Sequence, residues 1–201
     1  MQLFYSTTSP FARKVNIFLR LTGLINTTEL VSTNFESEEL RKLNPLGKIP
    51  ALKDGELVLP DSTLICQYLD EQYVALGNDS LFHNGEEDYY QVQMAHTLAN
   101  GILEAAVSTV MEKRRDTEHS IYWLGRWRAA MHTAIKNIDF EAITNGDNPN
   151  IATITTAAAL GYLDFRLSSE HDWRKWNADL AGWFESIRFE DWFVDTTPTQ
   201  A

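Results

Sequence analysis

The sequence holds a single cysteine, Cys66, which excludes an internal disulfide framework and fits a reducing compartment. Basic side chains are also scarce: 17 Lys and Arg stand against 28 Asp and Glu, a formal net charge of −11. Tracking a phosphate backbone needs clustered positive charge, so nucleic-acid binding is disfavoured. No apolar run approaches the roughly 20 residues that a membrane span needs. The opening MQLFYSTTSPF lacks the basic start and apolar centre of a secretory signal. The five histidines (His83, His96, His119, His132, His171) show no metal-ligand spacing. No HExxH and no glycine-rich phosphate loop occurs, and there is no internal repeat or low-complexity stretch. These absences predict a soluble cytoplasmic protein with no metal, nucleic-acid or membrane partner.

What is present is an ordinary globular mix, 44% apolar and 22% charged over 201 residues, enough for one large domain or two small ones. The two halves differ in texture. QLFY (residues 2–5) reads as a short strand, and residues 10–21 place Phe11, Val15 and Phe18 at helical spacing, closed by Gly23. Leu30 and Val31 lie in a second β-like run, and residues 37–43 read as a short polar helix. Residues 49–59 hold two apolar runs joined by Asp54-Gly55, a strong hairpin signal. Residues 61–73 are helical again, with Leu64, Ile65, Tyr68 and Leu69 on one face. The order βαβαββα implies a parallel crossover first and an antiparallel pair last.

After Gly77-Asn78-Asp79 the strands stop. Between residues 85 and 115, Val92, Ala95, Ala99, Ile102, Ala106 and Val110 step by three and four, with Glu86, Glu87 and Asp88 as acids of the first turn. Further helices are expected over 120–143, ended by NGDNPN (145–150), then near 153–168 and 173–187. This half reads as an all-α bundle. Cys66 reads as inert core beside Leu64 and Ile65, and Trp173, Trp176 and Trp183 as core at helical spacing. Arg13 and Lys14 read as solvated helix charges or, if they contact anything, as partners of a bound ligand's carboxylates.

Three stretches carry candidate chemistry. In TSPFARKV (8–15), Ser9 before Pro10 is a good helix N-cap with proline at the first helical position, which needs no function. The same geometry sets a hydroxyl beside exposed amides at a positive dipole end, where a thiolate or other anion can sit. In NPLGKIPAL (44–52), Pro50 opens a strand, a permitted place for a residue without an amide donor. Local chemistry alone favours a trans Ile49–Pro50 bond. Pro60-Asp61-Ser62-Thr63 opens the next helix, either as a plain cap or as a second anion site that aims amides and the Ser62 hydroxyl at a carboxylate.

TSPFARKV, NPLGKIPAL and LPDSTLICQYLDE, in that order and spacing, resemble the thioredoxin-like N-terminal domain of the cytosolic bacterial glutathione S-transferases (serine-type, theta/beta-like). GYLDFR (161–166) and WFESI (183–187) resemble that family's helical domain. The resemblance implies a glutathione S-transferase fold: an α/β thioredoxin-like domain over 1–77 and an all-α helical bundle over 84–201. It implies glutathione as co-substrate, a small hydrophobic electrophile as its acceptor, a detoxification-type transfer and a homodimer. Ser9 would donate to the glutathione sulfur, Pro50 would be cis, and Ile49 would pair its backbone with the cysteinyl part. Lys48 would lie near the glycine carboxylate, and Asp61 and Ser62 would receive the γ-glutamyl group. Phe11 is expected at the glutathione site and, with Val107 or Met111, in the wall of an electrophile pocket between the domains. Tyr5 is either a strand aromatic or a rival to Ser9 for the sulfur.

Two departures stand out. LANGILEA places Asn100 where many relatives carry an acid, and Thr153-Ile154-Thr155-Thr156 replaces the family's Ser/Thr-x-x-Asp capping box. Two other readings stay beside the transferase: a binding or regulatory protein of the same fold with little catalysis, and a glutathione-dependent peroxidase.

Overall fold

The computed structural model describes residues 1–82, 89–144 and 149–199. Two compact units form: Met1–Asn84 together with Glu190–Ala201, and Gly85–Phe189. The family resemblance places all of 84–201 in the helical half. The last residues instead fold onto the first unit, where Arg13 and Arg20 hold Phe193, Asp195 and Thr196.

In the first unit the expected βαβαββα order is present. Strands β1 (Gln2–Tyr5), β2 (Glu29–Ser32), β3 (Ala51–Asp54) and β4 (Leu57–Pro60) form one mixed sheet in the order β2-β1-β3-β4. β1 pairs parallel with β2 and antiparallel with β3, and β3 pairs antiparallel with β4 across the Asp54-Gly55 turn. Gly55 takes φ +58 in that turn, a left-handed conformation that suits glycine. Helices α1 (Pro10–Leu21), α2 (Glu38–Leu43) and α3 (Ser62–Ala75) complete the α/β part, and a short helix α9 (Asp191–Val194) joins from the C-terminus. Leu3, Val15, Ile17, Phe18, Leu52, Ile65 and Leu69 are fully buried here. Leu64, expected on the apolar face of α3, is exposed; Cys66 takes the buried place instead.

The second unit is helical: α4 (Tyr89–Lys113), α5 (Ile121–Asn137), α6 (Phe140–Thr144), α7 (Ile151–Leu167) and α8 (Ala178–Ile187). All six periodic apolar positions of α4 are buried. The single helix expected over 120–143 is two, because the chain leaves helical geometry at Ile138, which takes ψ 123. The run 173–187 likewise divides into a 3-10 turn and α8, which is capped by Asn177. α7 is buried along most of its length, and its cap is Asn150 rather than Thr153. Asn150 Oδ1 accepts from Ala152 N and Thr153 N, and Thr153 Oγ1 accepts in return from Asn150 N. The expected partner, Thr156, has a buried hydroxyl with no protein partner among the described residues. The acids Glu86, Glu87 and Asp88 lie outside the described residues, as do positions 145–148 of the NGDNPN loop. No described helix is long and apolar enough to cross a membrane.

Candidate functional site

Strand register brings the three candidate stretches together. β1 and β4 both run antiparallel to β3, so they end at the same edge of the sheet, where β3 begins. Ala51 pairs with both Phe4 and Pro60. The residues that follow β1, precede β3 and follow β4 therefore converge. They include Ser9, Phe11, Lys48, Ile49, Pro50, Asp61 and Ser62, the whole set expected from sequence. Ligands of open α/β sheets bind outside the carboxyl ends of strands for the same reason: the chain turns there into helix N-termini.

At the first corner, Ser9 is half-buried and caps α1; its Oγ accepts from Ala12 N at 3.3 Å, and its carbonyl accepts from Arg13 N at 2.9 Å. Pro10 contributes no donor. The one first-turn amide left without a partner among the described residues is that of Phe11. Because Ser9 caps as an acceptor, its own O–H proton stays available for a second group.

At the second corner, Asp61 caps α3 from φ +70, an uncommon conformation for a residue other than glycine and one that costs energy unless its surroundings fix it. Asp61 Oδ1 accepts from Thr63 N at 2.7 Å and from Leu64 N at 3.3 Å, and the Asp61 carbonyl accepts from Ile65 N. The amide left over is that of Ser62. Ser62 is 3% exposed, and neither its amide nor its hydroxyl has a partner among the described residues. Each helix thus offers one backbone N–H and one hydroxyl at a positive dipole end, with the exposed carboxylate of Asp61 beside the second pair.

Between them, the Ile49–Pro50 bond is cis, as the family resemblance implies and against the local expectation. Ile49 turns its side chain onto the cluster of Phe4, Leu40 and Ala51, so its backbone is what it can offer a ligand. Lys48 is exposed. The turn before it is shaped by Asn44, which the local sequence does not single out. Asn44 is fully buried, donates to the Lys48 carbonyl at 2.8 Å and accepts from Leu46 N at 2.9 Å. Gly47 closes the turn at φ +60, donating to the Asn44 carbonyl. The only signal for this in the sequence is the Asn44-Pro45 dipeptide, a turn marker.

Arg13 and Lys14 correct their sequence reading. Both are buried, Lys14 completely, and Lys14 donates to Thr63 Oγ1 of α3 at 3.2 Å. Tyr5 is half-buried at the end of β1. Cys66 is fully buried, and burial pushes its thiol up to about 12. Asn100 lies on α4 in the other unit, with its amide 2.9 Å from His96 Nε2. Trp173 is core, edge-on to Phe184 at 5.4 Å, whereas Trp176 and Trp183 are only half-buried. No group of three or more His, Cys, Asp or Glu among the described residues is arranged to hold a metal ion.

Residues 3–77 match the family model for the glutathione S-transferase N-terminal domain. A glutathione transferase family member from Pseudomonas fluorescens Pf-5, solved with bound glutathione, is 33% identical over 99% of each chain, with a TM-score of 0.89. A structure from the same organism with bound S-(propanoic acid)-glutathione superposes over the whole of both chains at 33% identity and TM-score 0.85. The GST-like protein YibF of Escherichia coli K12 is 29% identical over the full length of both. A stringent starvation protein A homolog of Pasteurella multocida is 37% identical over 46% of this chain and 49% of its own.

Proposed function

The chain belongs to the glutathione transferase family, and from that premise we propose that it binds glutathione at the end of this sheet, ionises its thiol and transfers the sulfur to a small hydrophobic electrophile. The observation that carries the reading is the pair of helix starts, each with one unpartnered amide and one hydroxyl, flanking the cis Ile49–Pro50 bond. In this reading the Ser9 O–H and the Phe11 amide face the sulfur, and the Ile49 backbone pairs with the cysteinyl unit. Lys48 lies near the glycine carboxylate. The Ser62 amide and hydroxyl take the γ-glutamyl carboxylate, and Asp61 takes its ammonium. The enzyme works as a homodimer in the cytoplasm and uses no metal.

The energetics are adequate. A free thiol ionises near pH 8.5, so only a few per cent is thiolate at neutral pH. A charge-assisted hydrogen bond from Ser9 stabilises the thiolate by about 1.5–3 kcal/mol, and the α1 N-terminus adds about 0.3–1 kcal/mol. Together they lower the thiol pKa by roughly 1.3–2.9 units. The thiol proton leaves to solvent. The thiolate lone pair then forms the sulfur–carbon bond, and the leaving group departs with the electron pair of the bond it loses. A mixed-disulfide route is disfavoured, because Ser9 stands where such a mechanism needs a protein thiol. The bound S-(propanoic acid)-glutathione of the Pseudomonas relative is a thioether of the kind such a transfer produces.

One observation favours a second reading, a protein of this fold that binds with little turnover: Asn100 brings no negative charge to its position, and its amide lies at hydrogen-bond distance from His96 of the same helix. An ultraviolet pH titration of glutathione on the purified protein, followed by turnover of an activated aryl halide, separates the two. A bound thiol ionising at least one unit below free glutathione, with turnover, supports the transferase. Binding with neither ionisation shift nor turnover overturns it in favour of the binding protein.

A further inference from the structure

One face of α1 is fastened to the end of the chain. Arg13 is 5% exposed; its Nη2 donates to the Phe193 carbonyl at 3.0 Å and its Nε to Thr196 Oγ1 at 3.3 Å. Its guanidinium carbon also lies over the Phe193 ring, 4.1 Å from the centroid. Two turns on, Arg20 pairs with Asp195 at 2.8 Å while donating to Asn16 Oδ1. Phe193 and Thr196 are themselves buried, so the guanidinium closes a dry clasp.

The chemistry of this clasp is unusual. No carboxylate pairs with Arg13 among the described residues, and burial alone depresses its pKa to about 10. A cation removed from water without a counter-charge is costly. A leucine or methionine would cover Phe193 without that cost. What the guanidinium adds is a planar fork that fixes two acceptors and one ring in a single geometry. That rigidity is applied at a particular place, since the Arg13 amide makes the first hydrogen bond of α1, to the Ser9 carbonyl at 2.9 Å. Fixing the Arg13 side chain fixes the turn that carries Ser9 Oγ and the Phe11 amide.

We propose that Arg13, clasped by the C-terminal segment at Phe193 and Thr196, is a positioning residue that holds the first turn of α1 in the geometry thiolate stabilisation requires. The proposal rests on the reading of Ser9 given above. Arg13 does not touch glutathione in this account; it acts through Ser9 and Phe11.

The test is the pKa of glutathione bound to the full-length protein, measured for wild type, Arg13→Met, Arg13→Lys, Thr196→Val and the Arg13→Met/Thr196→Val double variant. Binding of S-methylglutathione, which has no ionisable thiol, is measured alongside. Arg13→Met is expected to raise the bound-thiol pKa by about one unit, tenfold less thiolate below the pKa. S-methylglutathione affinity should stay within about twofold of wild type. Thr196→Val, the milder change should Arg13→Met fold poorly, is expected to raise it by about a third of a unit. The double variant should match Arg13→Met, because the two residues share one arrangement. Arg13→Lys should not rescue, since a point charge lacks the fork. A normal wild-type shift left intact by both single variants, even with a lowered melting temperature, overturns this proposal alone. No shift in the wild type overturns the Ser9 reading and this proposal with it.

Discussion

Ser9→Ala removes two interactions of one oxygen, and they can be measured separately. As an acceptor, Ser9 Oγ caps α1 through Ala12 N at 3.3 Å. That distance is at the long end of a real bond, so the stability loss should fall near the low end of the usual 0.5–2 kcal/mol, about 0.5–1. As a donor in the proposed reading, the hydroxyl supplies about 1.5–3 kcal/mol to the thiolate, or 1.1–2.2 pKa units at 1.36 kcal/mol each. What remains in the variant is the helix end, about 0.3–1 kcal/mol, so the bound thiol should sit only about 0.2–0.7 units below its free value. Urea denaturation of the free protein reads the first effect and the ultraviolet titration the second. Ser9→Thr should restore both, and Ser9→Asp should keep the cap while losing the shift, because a carboxylate can accept from Ala12 but cannot donate to sulfur. The reasoning is refuted if Ser9→Ala still binds glutathione and holds its thiol more than one unit below the free value. Another donor would then be at work, and Tyr5, at the end of β1, is the first to test by Tyr5→Phe.

Four further outcomes are expected. Ser62→Ala should weaken glutathione binding about 10- to 100-fold, by loss of one charge-assisted bond, while moving the bound-thiol pKa by less than about 0.3 units; equal losses in both quantities would sink the division of roles. Cys66, fully buried with its thiol pushed up to about 12, should resist alkylation in the native protein and react stoichiometrically once unfolded; native labelling would show that the burial is wrong. Asn150→Ala should cost about 2–4 kcal/mol in urea melts, since Asn150 is 1% exposed and loses bonds to Ala142 O, Ala152 N and Thr153 N. Asn150→Asp, which keeps the cap, should fall between. Burial lowers the pKa of His171, with Arg128 and Lys113 adding to the effect. The unfolded chain therefore takes up its proton first, and the stability His171 contributes near neutral pH is lost as pH falls below about 6.5. His171→Gln should flatten that part of the pH dependence, and an unchanged acid limb would refute the assignment.

What could be read from the sequence follows the range of the interactions involved. β1, α1 and the Asp54-Gly55 hairpin were legible because strand alternation, an N-cap before proline and a turn dipeptide act within a few residues. For the convergence of Ser9, Pro50 and Asp61 the βαβαββα pattern supplies the first parallel crossover and the last antiparallel pair, whereas the central β1–β3 pairing is visible only in the fold. Misreadings occurred where the deciding contact was remote. Arg13 looks solvated until residues 193–196 fold over it. Thr153 is a good cap in isolation, yet Asn150 caps because its Nδ2 also reaches the Ala142 carbonyl. The cis Ile49–Pro50 bond lies against local odds and came only through the family resemblance. Asn44 looks like a turn residue until its burial beneath the Lys48 carbonyl is visible.

On the proposed reading, caps and ligand donors do not compete at the two helix starts. A helix N-terminus has four amides without intrahelical partners, and a strong cap usually quiets them. In α1, the Ser9 amide turns back to the Ser6 carbonyl, proline removes one donor and the Ser9 side chain takes the Ala12 amide; in α3, the Asp61 side chain takes those of Thr63 and Leu64. The single amide left in each case belongs to Phe11 or Ser62, at the end of the sheet where β1 and β4 both stop. Capping therefore raises selectivity as well as stability, because the positive end of each helix is narrowed to one donor beside one hydroxyl. A thiolate needs few, well-aimed donors, and a carboxylate is matched by the Ser62 pair. The strained φ of Asp61 fits this account, since it lets one carboxylate cap the helix and remain exposed beside the place where an ammonium would sit.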